Sequence, residues 1–166
     1  VYLNPLRPTW KDERNYAFGY NHQFLGNGRK SNGQFHNFPV YRASIVNFTS
    51  TVLGATCMGT AAGFSEKDRT RYENSGKKYS SLGNHGWTLD PPRLTTRSDI
   101  GTGDAGSPRT AVDACYNGRA IVSFLDGAVV AKYPRELGYV TDESGKFVND
   151  GGASNRQFSG EDRDLD

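Results

Sequence analysis

The residues of this sequence best suited to hold a metal ion are aspartates around a glycine-rich stretch. Asp99 and Asp104 lie at the two ends of the stretch DIGTGD, and Asp113 follows nine residues later. Hard oxygen ligands on a flexible loop suit Ca²⁺, although the EF-hand spacing is absent. Asp and Gly are also the usual residues of turns. The sequence therefore leaves two interpretations open, a calcium site and an ordinary loop, and it indicates no other cofactor.

A segment of the same region has the pattern of a catalytic loop. Gly103–Pro108, GDAGSP, resembles the Gly-Asp-Ser-Gly-Gly-Pro nucleophile loop of chymotrypsin-like proteases. Ala105 holds the nucleophile's position, where a hydroxyl is indispensable because it supplies the attacking oxygen. The upstream stretch Thr60–Phe64, TAAGF, lacks the histidine that would act as base. The sequence therefore predicts a glycine-rich turn in a non-enzymatic protein, with an inactive or inactivated protease as an alternative.

The two cysteines of the chain, Cys57 and Cys115, are too few for a disulfide framework. Their separation of 58 residues matches no zinc-binding pattern. They could form one disulfide or remain two buried small side chains, and the sequence leaves both interpretations open.

Composition and charge exclude several classes of partner. There are 20 Lys and Arg against 18 Asp and Glu, and they are interspersed, so no basic patch indicates a nucleic-acid partner. No apolar run approaches the roughly 20 residues that span a bilayer. Membrane contact is therefore expected only through a segment that this chain lacks. The 20 Gly, 9 Tyr and 9 Phe favour short strands joined by many turns.

The clearest local structure is a β-hairpin in the second half of the chain. Ala120–Leu125 and Ala128–Tyr133 are rich in β-branched and aromatic residues, and only Asp126-Gly127 separates them. A two-residue type I′ turn needs φ > 0 at both central positions, which Asp tolerates and Gly accepts freely. This turn sets a register in which two pairs share the core face, namely Phe124 with Val129 and Val122 with Ala131.

Other segments complete the predicted fold. Aromatic residues alternate in Tyr16–Tyr20, as in a half-buried strand, and Thr51–Leu53 is typical of a core strand. These strands, or another subunit, are expected to cover the apolar face of the hairpin. The predicted fold is α+β and β-rich, an antiparallel sheet with a C-terminal hairpin and many loops. Residues 1–140 are expected to form one domain, and residues 141–166 a polar tail that lies on the surface or is disordered.

Tyr116, nine residues and then Asp126-Gly127 form the most specific motif of the chain. This pattern resembles the C-terminal His-x9-Asp-Gly signature of pilin-like and pseudopilin-like proteins, with a tyrosine in place of the histidine. Asn117-Gly118 also resembles the residues that follow that histidine. Two looser matches lie upstream, in Tyr16–Asn21 and Pro39–Leu53. The resemblance covers only the globular head of such proteins, because their long apolar N-terminal helix has no counterpart here.

The resemblance implies a self-associating subunit of an extracellular or secretion-associated filament, located outside the cell, on its surface or in the periplasm. It implies structural roles for its residues: Asp126 and Gly127 set the turn, and Tyr116, Asn117 and Gly118 lead into the strand. The alternative is a carbohydrate- or surface-binding β-domain, as on a phage fibre or adhesin. That alternative is favoured by aromatic residues that could stack on sugars, namely Trp10, Tyr16, Tyr20, Tyr79 and Trp87.

Overall fold

The computed structural model describes residues 18–26, 28–31, 34–37, 40–58, 88–94, 110–148 and 152–165. Its strands are β1 (Phe18–Tyr20), β2 (Gly28–Ser31), β3 (Gln34–Asn37), β4 (Val52–Thr56), β5 (Ala120–Phe124), β6 (Val129–Lys132), β7 (Val140–Thr141) and β8 (Phe147–Val148). The helices of the described part are short: α1 (His22–Leu25), α2 (Arg156–Ser159) and two 3₁₀ turns, Arg42–Ser44 and Pro134–Leu137.

The strands form one main sheet and two small ones. The main sheet has four strands in the order β1-β4-β5-β6, and all its pairs are antiparallel. The pairs β2-β3 and β7-β8 each form a separate two-stranded sheet. The predicted β-rich character, the antiparallel sheet and the C-terminal hairpin of β5 and β6 are confirmed.

The loop between β5 and β6 is longer than the sequence predicts. The Gly127 N–H donates to the Phe124 carbonyl at 3.0 Å, and the Phe124 N–H donates to the Ala128 carbonyl at 2.9 Å. These bonds enclose three residues, Leu125–Gly127. Gly127 has a φ of 91°, whereas Asp126 is not among the positive-φ residues of the described part. This geometry is a type I turn followed by a G1 bulge, so the predicted two-residue type I′ turn is wrong.

The three-residue loop shifts the pairing of β5 and β6 by one position. The predicted partnerships of Phe124 with Val129 and of Val122 with Ala131 are wrong, and the observed pairs are Val122 with Val130 and Ser123 with Val129. On β5 the predicted core residues are nevertheless buried, with Val122 0% and Phe124 4% exposed. On β6 the shift turns the predicted core residue Val129 outward, where it is 63% exposed.

A type I′ turn does occur, but ahead of β5. Tyr116 and Arg119 exchange two backbone hydrogen bonds of 3.0 and 3.1 Å. The residues between them, Asn117 and Gly118, have φ values of 53° and 77°. Both angles are those of a type I′ turn, and Asn-Gly is the dipeptide that favours it most strongly.

The C-terminal segment covers the core and does not form a tail. Phe147 and Phe158 are 3% and 0% exposed, respectively. Both rings pack edge to face against Tyr139, with centroids 5.3 and 5.8 Å from that ring. Asn21 joins this segment to the sheet, because its Nδ2 donates to the carbonyls of Val52 and Phe158 at 2.8 and 2.9 Å. The prediction that residues 141–166 lie on the surface or are disordered is therefore wrong for the residues described.

The strands that were expected to cover the apolar face of the hairpin do not lie across it. The strands β1 and β4 extend the sheet sideways and do not lie across the hairpin. The strand β1 begins within the predicted segment Tyr16–Tyr20, but Phe18 and Tyr20 point outward, 46% and 39% exposed, and Gly19 is the buried residue. The core strand predicted at Thr51–Leu53 corresponds to β4, in which Val52 is 0% exposed.

A neighbouring segment covers the outer edge of β1. The Leu89 N–H donates to the Tyr20 carbonyl at 2.8 Å, and Tyr20 forms a parallel bridge with Thr88. A Cβ atom on Gly19 would lie 2.7 Å from the carbonyl oxygen of Thr88. Glycine therefore permits the close approach of this segment to β1.

The loop geometry predicts the effect of two substitutions at Gly127. Gly127→Val should lower the free energy of unfolding by about 1 kcal/mol or more, because a β-branched residue resists φ > 0. No atom lies within 4 Å of a Cβ added at Gly127, so the loss would come from the backbone and not from a clash. Gly127→Asn should cost less, because Asn tolerates the left-handed region. Urea denaturation measures both values, and equal losses for the two variants would contradict the G1 bulge.

The burial of Tyr139 predicts a loss of stability at alkaline pH. Burial, and then the nearby Cys57 and Asp90, raise the pKa of Tyr139 well above 10. Below pH 10 the protonated Tyr139 makes its full contribution to the free energy of unfolding. This contribution falls as pH rises further, because the unfolded chain releases the hydroxyl proton at a lower pH than the folded chain does. The slope is at most about 1.4 kcal/mol per pH unit for one group. Tyr139→Phe should remove that part of the slope when urea midpoints are compared from neutral pH to about pH 11. A variant that loses stability as steeply as the wild type would contradict this origin.

Candidate functional site

The strand β6 is an open edge of the main sheet. It pairs with β5 on one side only, and within the described part of the chain nothing hydrogen-bonds to its other side. Two apolar side chains on it are exposed, Val129 at 63% and Val130 at 40%. A row of unpaired backbone groups beside exposed valines is a template on which another strand can pair.

The register of the hairpin determines which backbone groups point outward. Phe124 donates its N–H to the Ala128 carbonyl, so these two residues form a hydrogen-bonded pair. Hydrogen-bonded and non-hydrogen-bonded pairs alternate along an antiparallel ladder. Val130 therefore directs its backbone groups toward β5, whereas Val129 and Ala131 direct theirs outward. The open edge thus presents two N–H donors and two carbonyl acceptors.

A pair of arginines lies at the C-terminal end of β6. The guanidinium carbons of Arg119 and Arg135 lie 4.7 and 5.4 Å from the centre of the Tyr133 ring, so they are no more than about 10 Å apart. The Tyr133 N–H donates to Oε2 of Glu136 at 2.7 Å, and a Cβ on Gly118 would lie 3.5 Å from the ring. The type I′ turn and the 3₁₀ turn therefore both adjoin this ring. Arg119, Tyr133 and Arg135 are called the arginine cluster below.

The arginine cluster has unused hydrogen-bonding capacity. Neither Arg119 nor Arg135 forms an ion pair or a side-chain hydrogen bond in the described part of the structure, and both are exposed. Tyr133 is half-buried, and stacking of a guanidinium on an aromatic ring near the surface contributes about 0.5–1 kcal/mol and leaves the guanidinium N–H groups available. Two unpaired positive charges this close favour the approach of a carboxylate, which guanidinium groups bind in a bidentate manner.

The predicted signature residues lie at opposite ends of β5. Tyr116, Asn117 and Gly118 form the turn before the strand, and Asp126 and Gly127 lie in the loop after it. A strand of five residues, about 17 Å long, separates the two groups. One molecule therefore does not bring the two halves of the signature together.

The hydroxyl of Tyr116 is neutral at physiological pH. Partial desolvation raises the pKa of Tyr116 above 10, and the nearby Cys115 and Asp113 raise it further by smaller amounts.

The other predicted site residues fall partly outside the described residues. Asp99, Asp104 and Ala105 are outside them, as are Trp10, Tyr16, Tyr79 and Trp87. Asp113 is 2% exposed, and its backbone forms two hydrogen bonds of 2.8 Å with Thr56. Within the described part of the chain, no group of three His, Cys, Asp or Glu side chains could hold a metal ion.

Among the described helices, none is long and apolar enough to cross a membrane.

The two cysteines are thiols in the structure, not a disulfide. Cys57 is completely buried, and its Sγ donates to the Thr88 carbonyl at 3.4 Å. Cys115 is only half-buried, beside the type I′ turn. Of the two interpretations that the sequence leaves open, the structure thus shows the one without a covalent link.

Sequence reasoning missed the arginine cluster and the exposure of β6. Arg119 and Arg135 are 16 positions apart, and they meet at Tyr133 because Ala120 pairs with Lys132. The signal was present in the Asn-Gly dipeptide, which sets the turn that precedes Arg119. Only the correct loop length, however, shows that Val129 faces solvent.

No protein-family model matches the chain, and neither the curated proteins nor the solved structures contain a match to it.

Proposed function

We propose that this chain is a non-enzymatic structural subunit that self-associates through β6 and belongs to an extracellular or secretion-associated filament. The observation that carries the proposal is the open edge of β6, with Val129 and Val130 exposed. The filament and the location outside the cytoplasm come from the resemblance to pilin-like heads, which the motif Tyr116 to Gly127 carries.

The two edges of the main sheet differ in a way that directs association to β6. The segment that contains Thr88 and Leu89 pairs with β1 at one edge. At the other edge, Val129–Ala131 is an uncharged run of exposed residues that ends at Lys132. Natural proteins shield such edges with charges, bulges or covering segments, and an uncovered apolar edge is typical of a pairing surface.

The core of the molecule is already covered by its own chain, so the open edge of β6 is the surface that is available for assembly. Phe147 and Phe158 are buried within the same chain, so the main apolar cluster needs no second subunit to cover it. Pairing at an edge strand adds backbone hydrogen bonds and contacts between alternate side chains, and it does not require the core to open. This mode of association suits a stable head that is joined to others.

A second candidate function is a carbohydrate- or surface-binding domain. Phe18 and Tyr20 lie on one exposed face of β1, 46% and 39% exposed. Exposed aromatic rings two positions apart can stack on sugar rings. Loss of glycan binding on Phe18→Ala, together with a wild-type protein that stays monomeric, would favour this function over self-association.

A charge placed on the open edge tests the structural role. Val130→Lys should weaken self-association at least about tenfold, because it buries a charge where two edges meet. Val46→Lys is the matched control, since Val46 is 71% exposed and lies outside the strands. Sedimentation equilibrium gives the association constants, and electron microscopy of the full-length native protein shows whether it forms filaments. A wild type that is monomeric at every concentration would contradict the proposal.

A further inference from the structure

We infer that β6 pairs antiparallel with β6 of a second copy, with Val130 opposite Val130, and that Asp126 of each copy binds the arginine cluster of the other. The inference rests on the proposed self-association through β6 and specifies its register and its charged contacts. The open backbone groups, the exposed valines and the positions of the charges each favour this arrangement.

The backbone groups of the open edge select one register. When Val129 of one copy lies opposite Ala131 of the other, all the outward N–H and carbonyl groups of both residues are paired, which gives four intermolecular hydrogen bonds. Placing Val129 opposite Val129 brings Ala131 against Gly127, whose N–H already donates to Phe124. Placing Ala131 opposite Ala131 brings Val129 against Tyr133, whose N–H already donates to Glu136.

The favoured register places the apolar side chains of the edge at the centre of the interface. Val130 then faces Val130 in a non-hydrogen-bonded pair, the arrangement in which opposite side chains are closest. Val130 lies on the same face as Val122, which is 0% exposed. The two four-stranded sheets would therefore continue into one sheet of eight strands with a continuous apolar face.

The same register brings opposite charges together at both ends of the interface. Asp126 lies in the loop that precedes β6, and the arginine cluster lies at the C-terminal end of β6. Because the two strands run antiparallel, the loop of one copy comes to the end of the other copy's β6, where the arginine cluster lies. Oδ1 of Asp126 accepts the Ala128 N–H at 2.9 Å, and in the described part of the structure Oδ2 has no hydrogen-bond partner. A carboxylate with an available oxygen thus meets a guanidinium pair that has unused donors.

The symmetry of this contact determines the size of the assembly. Each copy contributes the same strand, the same aspartate and the same arginines, so the interface is isologous with a two-fold axis at Val130. Such a contact closes on itself and produces a dimer. In a filament, the dimer would be the repeating unit, and a different surface would join one dimer to the next.

A disulfide at the two-fold axis tests the register. Val130→Cys, made in a background with Cys57→Ala and Cys115→Ser, should form an intermolecular disulfide on mild oxidation. The Cα atoms of a non-hydrogen-bonded pair are about 4.5 Å apart, within the range that a disulfide spans. Val129→Cys in the same background is the control, because its partner is Ala131. Non-reducing electrophoresis measures the yield, and equal cross-linking of both variants would overturn the register.

Charge reversal tests the contact of Asp126 with the arginine cluster. Asp126→Arg alone, and Arg119→Asp with Arg135→Asp, should each weaken the dimer at least tenfold, because like charges then meet twice. An equimolar mixture of the two variants should recover the wild-type association constant as a heterodimer, since both ends again carry opposite charges. Sedimentation velocity at low salt measures each state, and thermal melts report whether each variant is folded.

The outcomes separate this inference from the proposed function. A wild type that is monomeric overturns both. A wild type that associates, with folded charge-reversed variants that associate equally well, overturns the inference and leaves self-association standing. A mixture of the two reversed variants that does not recover the dimer also overturns the inference.

Where a reversed variant does not fold, Asp126→Asn takes its place, because this substitution removes the charge and keeps the acceptor for the Ala128 N–H. An unchanged dimer in Asp126→Asn overturns the contact as well.

Discussion

The three-residue loop Leu125–Gly127 is the constraint on which the rest of the hairpin depends. Gly127 takes a positive φ, and this lets the chain reverse with one residue more than a type I′ turn allows. Because side chains alternate along a strand, that single residue decides which face of β6 is buried. The hydrogen-bonded pair of Phe124 and Ala128 directs the backbone groups of Val129 and Ala131 outward, which gives the open edge its hydrogen-bonding pattern.

The C-terminal segment covers the core of the molecule but does not cover the open edge of β6. Phe147 and Phe158 pack on Tyr139, and Asn21 links their segment to β4 through two buried hydrogen bonds. An apolar sheet face without such a cover would have to be buried in an interface. In this molecule the apolar cluster is covered by its own chain. The edge then offers a smaller and more specific contact, in which register and charge matter more than area.

Local patterns in the sequence predicted the features that depend on local residues. The hairpin and the core strand at Val52 follow from β-branched runs and alternation. The loop type did not follow, because Asp126-Gly127 suits both a type I′ turn and a G1 bulge. The burial of Phe147 and Phe158 could not be seen either, since isolated aromatic residues in a polar stretch give no periodic signal. The arginine cluster requires a contact across strands, which sequence spacing alone does not show.

The proposed dimer gives the two halves of the sequence signature a shared physical role. Within one molecule, Asn117-Gly118 and Asp126-Gly127 lie at opposite ends of β5. An antiparallel pair of edges places each end of one copy beside the opposite end of the other, so the loop of one meets the turn of its neighbour. The two contacts are related by the two-fold axis at Val130, so the length of β6 sets the distance from that axis to the loop on one side and to the arginine cluster on the other. A one-residue insertion within β6 would change which of its residues face the core, and it would also shift the loop relative to the arginine cluster, so folding and assembly both constrain this length.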